Sequence, residues 1–221
     1  MCKTDFIDAI EKGDSDQIDS LLASDPSLAA ERDDNGVSLV LLALYHGKPQ
    51  LAAVIASQKE SLDLFEACAL GRDSRVIELL DEDADAVHSF TPDGFPLLGF
   101  ATFFGRTELA RLLIDRGADV NVEANNPMKV HPLHSGVAFH DPEVALETAR
   151  LLLDAGAEPN AEQQMGYTAL QSAALHGNRP LVDLLIERGA DKSWKSADGK
   201  SSGDMARQGG YEELAEFLDR H

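Results

Sequence analysis

A small residue followed four positions later by glycine recurs along this chain at a nearly constant interval. No other feature of the sequence limits the fold so strongly. The pairs are Ala9 with Gly13, Ala43 with Gly47, Ala67 with Gly71, Ala101 with Gly105, Ala173 with Gly177 and Ala206 with Gly210. In one further copy Gly136 takes the small position and His140 stands in place of the glycine. The successive small residues are 34, 24, 34, 35, 37 and 33 positions apart. Because a period of about 20–50 residues is typical of repeat proteins, we predict about seven copies of one unit.

Each copy is predicted to contain two short helices. A small residue lets two helices approach closely, and the glycine accepts the left-handed backbone that ends the first helix. A second helix follows, marked by apolar residues at helical spacing. These sets are Ile18, Leu21 and Leu22; Leu51, Val54 and Ile55; Val76, Leu79 and Leu80; Leu109, Leu112 and Leu113; Leu151, Leu152 and Leu153; Leu181, Leu184 and Leu185; and Leu214, Phe217 and Leu218. One pair cannot bury its apolar face alone, so the pairs must stack, which predicts an all-α solenoid.

Turns between the predicted pairs connect this pattern to a known family. Gly-Ala turns begin at Gly117, Gly156 and Gly189, and residues 131–134 read His-Pro-Leu-His. In these features the chain resembles the ankyrin-repeat family, whose signature is Thr-Pro-Leu-His, over essentially its whole length. More narrowly, it resembles free-standing bacterial members of that family. The resemblance implies short β-turn fingers between the helix pairs, and it implies that the ring of His134 stabilises its turn through backbone hydrogen bonds.

We predict a single domain over residues 1–221 that contains seven units. Their approximate bounds are 1–32 (an N-terminal cap), 33–60, 61–90, 91–121, 122–160, 161–193 and 194–221 (a C-terminal cap). Residues 57–63 are too few for a finger, so one finger is predicted to be missing. In the fifth unit Lys129 takes the usual glycine position of a lengthened connection. The second helix of that unit is predicted to be about one turn longer than usual, from Pro142 to about Ala155, either as a structural elaboration or as a partner-specific surface.

The charge balance narrows the classes of partner. The net charge is −20, of which residues 1–100 carry −13 and residues 101–221 carry −7. An acidic surface repels phosphate groups, which argues against nucleic acid and anionic membranes and favours a protein or peptide partner with basic flanks. The chain has no apolar run near the ~20 residues of a membrane span, and its N-terminus shows no signal-peptide pattern. Because Cys2 and Cys68 cannot form a disulfide framework, we expect a cytoplasmic protein. We also expect the protein to be monomeric.

Fragments of catalytic and metal-binding motifs occur, but none is complete. A Gly-Lys-Ser sequence at 199–201 lacks the earlier glycine of a phosphate-binding loop, and the acidic run 81–85 lacks the glycine and glutamate of a calcium loop. His131, His134 and His140 are close in sequence, but a proline interrupts their helical spacing and no cysteine is nearby. We therefore predict a protein that is not an enzyme and that binds no cofactor and no metal ion.

The family resemblance places partner binding on the concave face, which is formed by fingertips and first helices. Carried over position by position, it predicts partner-binding residues that are unusually apolar. They are Tyr45, His46, Leu70, Phe95, Phe103, Phe104, Phe139, Met165, Tyr167, Leu175 and His176. Because contiguous exposed apolar surface usually marks a binding site, we predict a hydrophobic groove over the third to sixth units that captures a peptide or a helix.

Three alternatives remain open at this point. Irregular fingers would bury the aromatic residues if they folded back over them, which would make those residues part of the core. A second alternative is a small-molecule or metal-binding protein that uses a pocket around His131, Phe139, His140 and Met165. The third is an inhibitor or immunity-type protein whose acidic face mimics a polyanion and blocks a basic enzyme.

Overall fold

The computed structural model describes residues 3–220, so Cys2 and the first residues of the predicted N-terminal cap lie outside the described part. Within that part the chain forms fourteen α-helices. They are α1 Lys3–Lys12, α2 Ser15–Ser24, α3 Leu39–Tyr45, α4 Pro49–Ser57, α5 Leu64–Ala69, α6 Asp73–Glu82, α7 Leu97–Phe103, α8 Thr107–Asp115, α9 Pro132–Val137, α10 Pro142–Asp154, α11 Ala169–Leu175, α12 Arg179–Glu187, α13 Ser202–Gln208 and α14 Glu212–Asp219. Each of the seven predicted units contains one consecutive pair, which confirms the all-α repeat architecture.

The helices divide between two compact units, which we call the first unit and the second unit. We call the seven predicted repeats helix pairs. Of the described residues, 3–86 with 91–93 form the first unit, and 87–90 with 94–220 form the second. In the first unit α1 packs beside α3 and α3 beside α5, and in the second α7, α9, α11 and α13 follow one another in the same way. Whether the seven helix pairs form the single predicted domain stays a prediction.

The core of the first unit combines residues that the repeat pattern identified, such as Ala9 and Ile18, with residues of the first helices that the pattern did not name. Phe6 and Ile10 of α1, Ile18 of α2 and Leu39 of α3 are fully buried. Ala9, the small residue of the first copy, is also fully buried in this cluster. The apolar faces of successive helix pairs therefore bury one another, as the stacking argument requires.

The predicted absence of one finger is confirmed by the connection between α4 and α5. Only residues 58–63 separate the two helices, and a buried ion pair lies beside this short link. Lys59 Nζ is 2.7 Å from Glu66 Oε1, and the side chains are 10% and 0% exposed. Glu66 also completes a capping box with Asp63 at the start of α5. Polar side chains thus satisfy this end of the helix without a finger.

The fingers of the second unit join into a ladder of backbone hydrogen bonds. The amide of Asn125 donates to the carbonyl of Gly94 at 2.7 Å. The amides of Gln164 and Ala197 donate to the carbonyls of Met128 and Met165, each at 2.8 Å. Short antiparallel bridges, Arg32 with Ser38 in the first unit and Phe90 with Pro96 in the second, close two further fingers. These contacts confirm the β-turn fingers that the family resemblance implied.

The fifth helix pair departs from the others as predicted. Helix α10 has 13 residues, and Asp141 caps it by accepting hydrogen bonds from the amides of Glu143 and Val144. Lys129 adopts a left-handed backbone, with φ of 53°, in the position where other fingers have glycine. Over residues 3–220, no helix has both the length and the apolar character required to cross a membrane.

Candidate functional site

Three predicted binding residues belong to the first unit. Each lies at the C-terminal end of the first helix of its helix pair. Tyr45 is the last residue of α3 and is 38% exposed, His46 follows it and is exposed, and Leu70 follows α5 and is half-buried. The Tyr45 hydroxyl hydrogen-bonds the carboxylate of Asp93, and burial together with this negative charge raises the pKa of Tyr45. The phenol of Tyr45 is therefore held in place, while part of its ring remains accessible.

The fingertip that carries Asp93 lies within the first unit. Pro92 lies beside Gly36, where a side-chain carbon added to that glycine would meet the proline ring at 3.4 Å. Pro92 and Asp93 thus contact the preceding finger and the end of α3. The sequence alone did not place this fingertip there, because its position depends on contacts with residues about 50 positions earlier in the chain.

The second unit carries the other eight predicted binding residues, and none of them is buried. Phe103 is 52% exposed, Met165 is 53% exposed, and His176 is also exposed. The half-buried members are Phe95, Phe104, Phe139, Tyr167 and Leu175. We call these eight residues the finger-side face. Complete burial under folded-back fingers, the first alternative above, does not occur in this unit.

Contacts within a repeat or with the neighbouring repeat hold three of the half-buried aromatic rings of the finger-side face. The ring of Phe104 packs edge-on against Phe100 and Phe103, with centroids 5.0 and 5.1 Å apart. Phe139 lies directly over Gly105, where an added side-chain carbon would overlap the ring. The Tyr167 hydroxyl donates a hydrogen bond to Asp198 at 2.9 Å. These rings are fixed before any partner binds, which lowers the entropy lost on binding.

The structure also identifies exposed apolar residues that were not predicted to bind. Met128 is 50% exposed on the finger next to that of Met165, Tyr211 is 42% exposed, and Phe90 is 38% exposed. The sequence did not indicate where Met128 lies in its finger, because the connection before the fifth helix pair is longer than usual. The position of Met128 just before Lys129 nevertheless matches that of Met165 just before Gly166. Tyr211 covers Gly177 as Phe139 covers Gly105.

His131 and His134, at the start of the fifth helix pair, have hydrogen-bond partners within the protein. The backbone amide of His131 donates to Nδ1 of His134 at 3.3 Å, and a ring nitrogen of His131 lies 3.0 Å from the carbonyl oxygen of Asn121. Burial and the nearby His131 lower the pKa of His134 to about 4, so its ring is neutral at pH 7. The ring of His134 thus accepts a backbone hydrogen bond in its turn, which confirms the stabilising role that the family resemblance implied.

The ring of His140 packs against that of Phe139 in a tilted arrangement, with centroids 4.4 Å apart. Within residues 3–220, no group of three or more His, Cys, Asp or Glu side chains is arranged to hold a metal ion.

The chain has the features of a helical repeat protein. Its helix pairs stack, its fingers are joined by backbone hydrogen bonds, and a histidine stabilises one of its turns. A family model described as three copies of ankyrin repeats matches residues 138–219, and a single-repeat model matches residues 93–125. Together the two matches cover more than half of the chain. The chain belongs to the ankyrin-repeat family, whose repeats generally serve as protein–protein interaction modules and are typically not catalytic.

Two curated mammalian proteins are similar to this chain. The chain is 26% identical to ankyrin repeat and SAM domain-containing protein 6 of Rattus norvegicus over 148 residues, which cover 67% of this chain and 12% of that protein. It is 27% identical to the Mus musculus protein of the same name over the same shares. The match thus spans about an eighth of the length of these relatives, and the narrower resemblance to bacterial members stays a prediction.

Proposed function

We propose that this protein is a non-enzymatic interaction module that binds a protein or peptide segment on its finger-side face. The observation that supports this proposal is the exposure of Phe103 and Met165 on one compact unit that also carries four half-buried aromatic rings. Because about half of each of these side chains is already buried, covering the rest contributes roughly 0.8–1.5 kcal/mol to binding. Rings that are already held in place, such as Phe104 and Phe139, add contact area at little further entropic cost.

We infer further that the partner carries basic residues beside its apolar segment. The net charge of −7 over residues 101–221 supports this, since complementary charge raises association rates and favours basic partners over acidic ones. In the first unit, Tyr45, His46 and Leu70 form a separate candidate contact set. We also propose a cytoplasmic, monomeric protein. The reduced, fully buried Cys68 and the low cysteine content support the location.

Affinity capture from native cytosol with quantitative mass spectrometry tests the proposal. The informative variant is Phe103→Ser, because this side chain is 52% exposed and its loss removes accessible apolar surface together with one ring contact to Phe104. Phe90→Ser is the matched control, since Phe90 is also a partly exposed aromatic residue but lies outside the finger-side face. We expect F103S to lose a partner that F90S and the unaltered protein retain, while both variants stay folded with similar melting temperatures.

Two outcomes would contradict the proposal. Equal capture by F103S and F90S would show that the finger-side face is not the binding surface. Capture that depends on salt alone, with no effect of F103S, would favour the acidic-mimic alternative, for which the net charge of −20 is the supporting observation.

A further inference from the structure

The three Gly-Ala turns of the second unit share one backbone geometry. Their glycines, Gly117, Gly156 and Gly189, have φ of 92°, 94° and 96°. In each turn the amide of the following alanine donates to a leucine carbonyl of the preceding helix at 2.9 Å. Each turn therefore presents the same backbone groups in the same arrangement, including the carbonyl of the glycine and the amide of the residue two positions later.

Asparagine side chains bind those two groups in two of the three turns. Nδ2 of Asn121 donates to the carbonyl of Gly156 at 3.0 Å, and Oδ1 of Asn121 accepts from the amide of Glu158 at 2.8 Å. Asn160 makes the same two bonds to the last turn, at 2.9 and 2.8 Å. A primary amide thus fits this donor and acceptor pair, and it joins one turn to the next.

The first of the three turns lacks such an asparagine. His88 lies six residues before the glycine of its finger, which is the position that Asn160 has in a later finger. An imidazole ring does not present a donor and an acceptor on one carbon atom as an amide does. Within residues 3–220, no hydrogen bond is made to the carbonyl of Gly117 or by the amide of Asp119. The donor and acceptor pair of this turn is therefore available to a ligand.

An apolar pocket of about 190 Å³ lies beside this turn, within the second unit. Because an apolar cavity of about 150 Å³ holds benzene, the pocket has room for one six-membered ring. Asp119 is part of the lining, so the ring of a ligand and the backbone of the turn are within reach of one small molecule. The apolar walls are formed by Val87, Phe90, Pro96, Leu98, Ala118 and Val122.

Hydrogen bonds hold the walls of this pocket before any ligand binds. Phe90 and Pro96 form an antiparallel bridge at the base of their finger. On the opposite wall, Oδ1 of Asp119 accepts from the amide of Asn121 at 2.8 Å, and the carbonyl of Asp119 accepts from the amide of Val122 at 3.4 Å. A site that is already formed requires little ordering when a ligand enters.

We propose that this pocket binds a small aromatic primary carboxamide. The ring occupies the apolar walls, the amide nitrogen donates to the carbonyl of Gly117, and the amide oxygen accepts from the amide of Asp119. A ketone lacks the donor, and a carboxylate lacks it and is also repelled by the side chain of Asp119. The site shares no residue with the finger-side face, so it is an addition to the proposed function.

Titration of the full chain with benzamide, followed by amide and methyl NMR spectroscopy, tests the proposal. We expect the amide signal of Asp119 and the methyl signals of Leu98 and Val122 to shift, with a Kd in the millimolar range for so small a ligand. The amides of Glu158 and Asp191 are internal controls, because asparagine side chains already bind them. Acetophenone and benzoate should bind roughly fivefold more weakly or worse, since both lack the N–H donor.

Substitutions test the pocket and the turn separately. Val122→Phe fills the pocket, so it should abolish benzamide binding. Val144→Phe changes another half-buried valine of the second unit and is the matched control, which should leave the Kd unchanged. His88→Asn supplies a primary amide from the chain itself, so it should weaken benzamide binding about tenfold and raise Tm by about 2–4 °C.

The proposal is overturned if benzamide leaves the amide signal of Asp119 unshifted, or if acetophenone and benzoate bind as tightly as benzamide. Binding that survives V122F would place the ligand outside the pocket, and unchanged affinity in H88N would contradict the role of the turn. Phe103→Ser should leave benzamide binding intact. Failure of this proposal is therefore distinguishable from failure of the proposed partner surface, which the F103S capture experiment measures.

Discussion

At the scale of single residues, the structure explains why one copy has glycine in its small position. A side-chain carbon added to Gly136 would lie 2.8 Å from Cγ2 of Thr148, closer than packing allows. Thr148 is buried, and its hydroxyl lies 2.7 Å from that of Thr107. Thr148 of α10 thus packs directly against Gly136 of α9, so the residue types at these two positions are coupled through space.

We predict that Gly136→Ala destabilises the protein by about 1–3 kcal/mol, because overpacking outweighs the gain in helix propensity. In a Thr148→Ser background, which keeps the hydroxyl and removes the methyl group, the same change should be neutral or stabilising. Urea unfolding of the four proteins of this double-mutant cycle measures the coupling. Equal costs of Gly136→Ala in both backgrounds would show that the Thr148 methyl group is not responsible.

The pH dependence of stability should reveal His134. Its pKa is near 6.5 when unfolded and about 4 when folded, so the unfolded state binds more protons between these values. The free energy of unfolding contributed by the neutral ring is present above pH 6.5. It is lost as the pH falls, by roughly 3 kcal/mol near pH 4.

Unfolding measured at pH 7.5, 6.5 and 5.5 checks this expectation. His134→Gln should show a smaller loss of stability over this range, at a lower overall stability, than the unaltered protein. His176→Gln is the matched control for the loss of an imidazole ring, because His176 is exposed. A profile unchanged by His134→Gln would contradict the assignment.

At the scale of elements, α5 begins without a finger and depends on the buried pair of Lys59 and Glu66. Removing one partner of a buried ion pair leaves an uncompensated charge, so we predict that Lys59→Met costs about 3–5 kcal/mol. The double variant Lys59→Met with Glu66→Gln should cost less than Lys59→Met alone, because no isolated charge remains. Chemical denaturation followed by circular dichroism of these two variants and of Glu66→Gln alone gives the three values, and additive costs of the two single changes would argue against a direct pair.

At the scale of the whole molecule, the acidic charge should affect stability through self-repulsion. Most ion pairs described between residues 3 and 220 are at the surface and contribute little, so screening of like charges dominates. Raising NaCl from about 20 mM to about 500 mM at pH 7 should therefore increase stability by roughly 1–2 kcal/mol, measured as a higher Tm. A lower Tm in high salt would show that ion pairs outweigh the repulsion.

The sequence by itself determined the seven helix pairs, the missing finger, the long α10 and the glycine-like conformation of Lys129. These features depend on propensity, caps and apolar spacing within a few residues, or on a period that repeats them. Only the tertiary structure decided which aromatic rings are exposed, where Pro92 and Asp93 lie, and that Met128 joins Met165. Exposure and contact depend on residues one or two repeats away, whose side chains occupy space that local pattern does not encode.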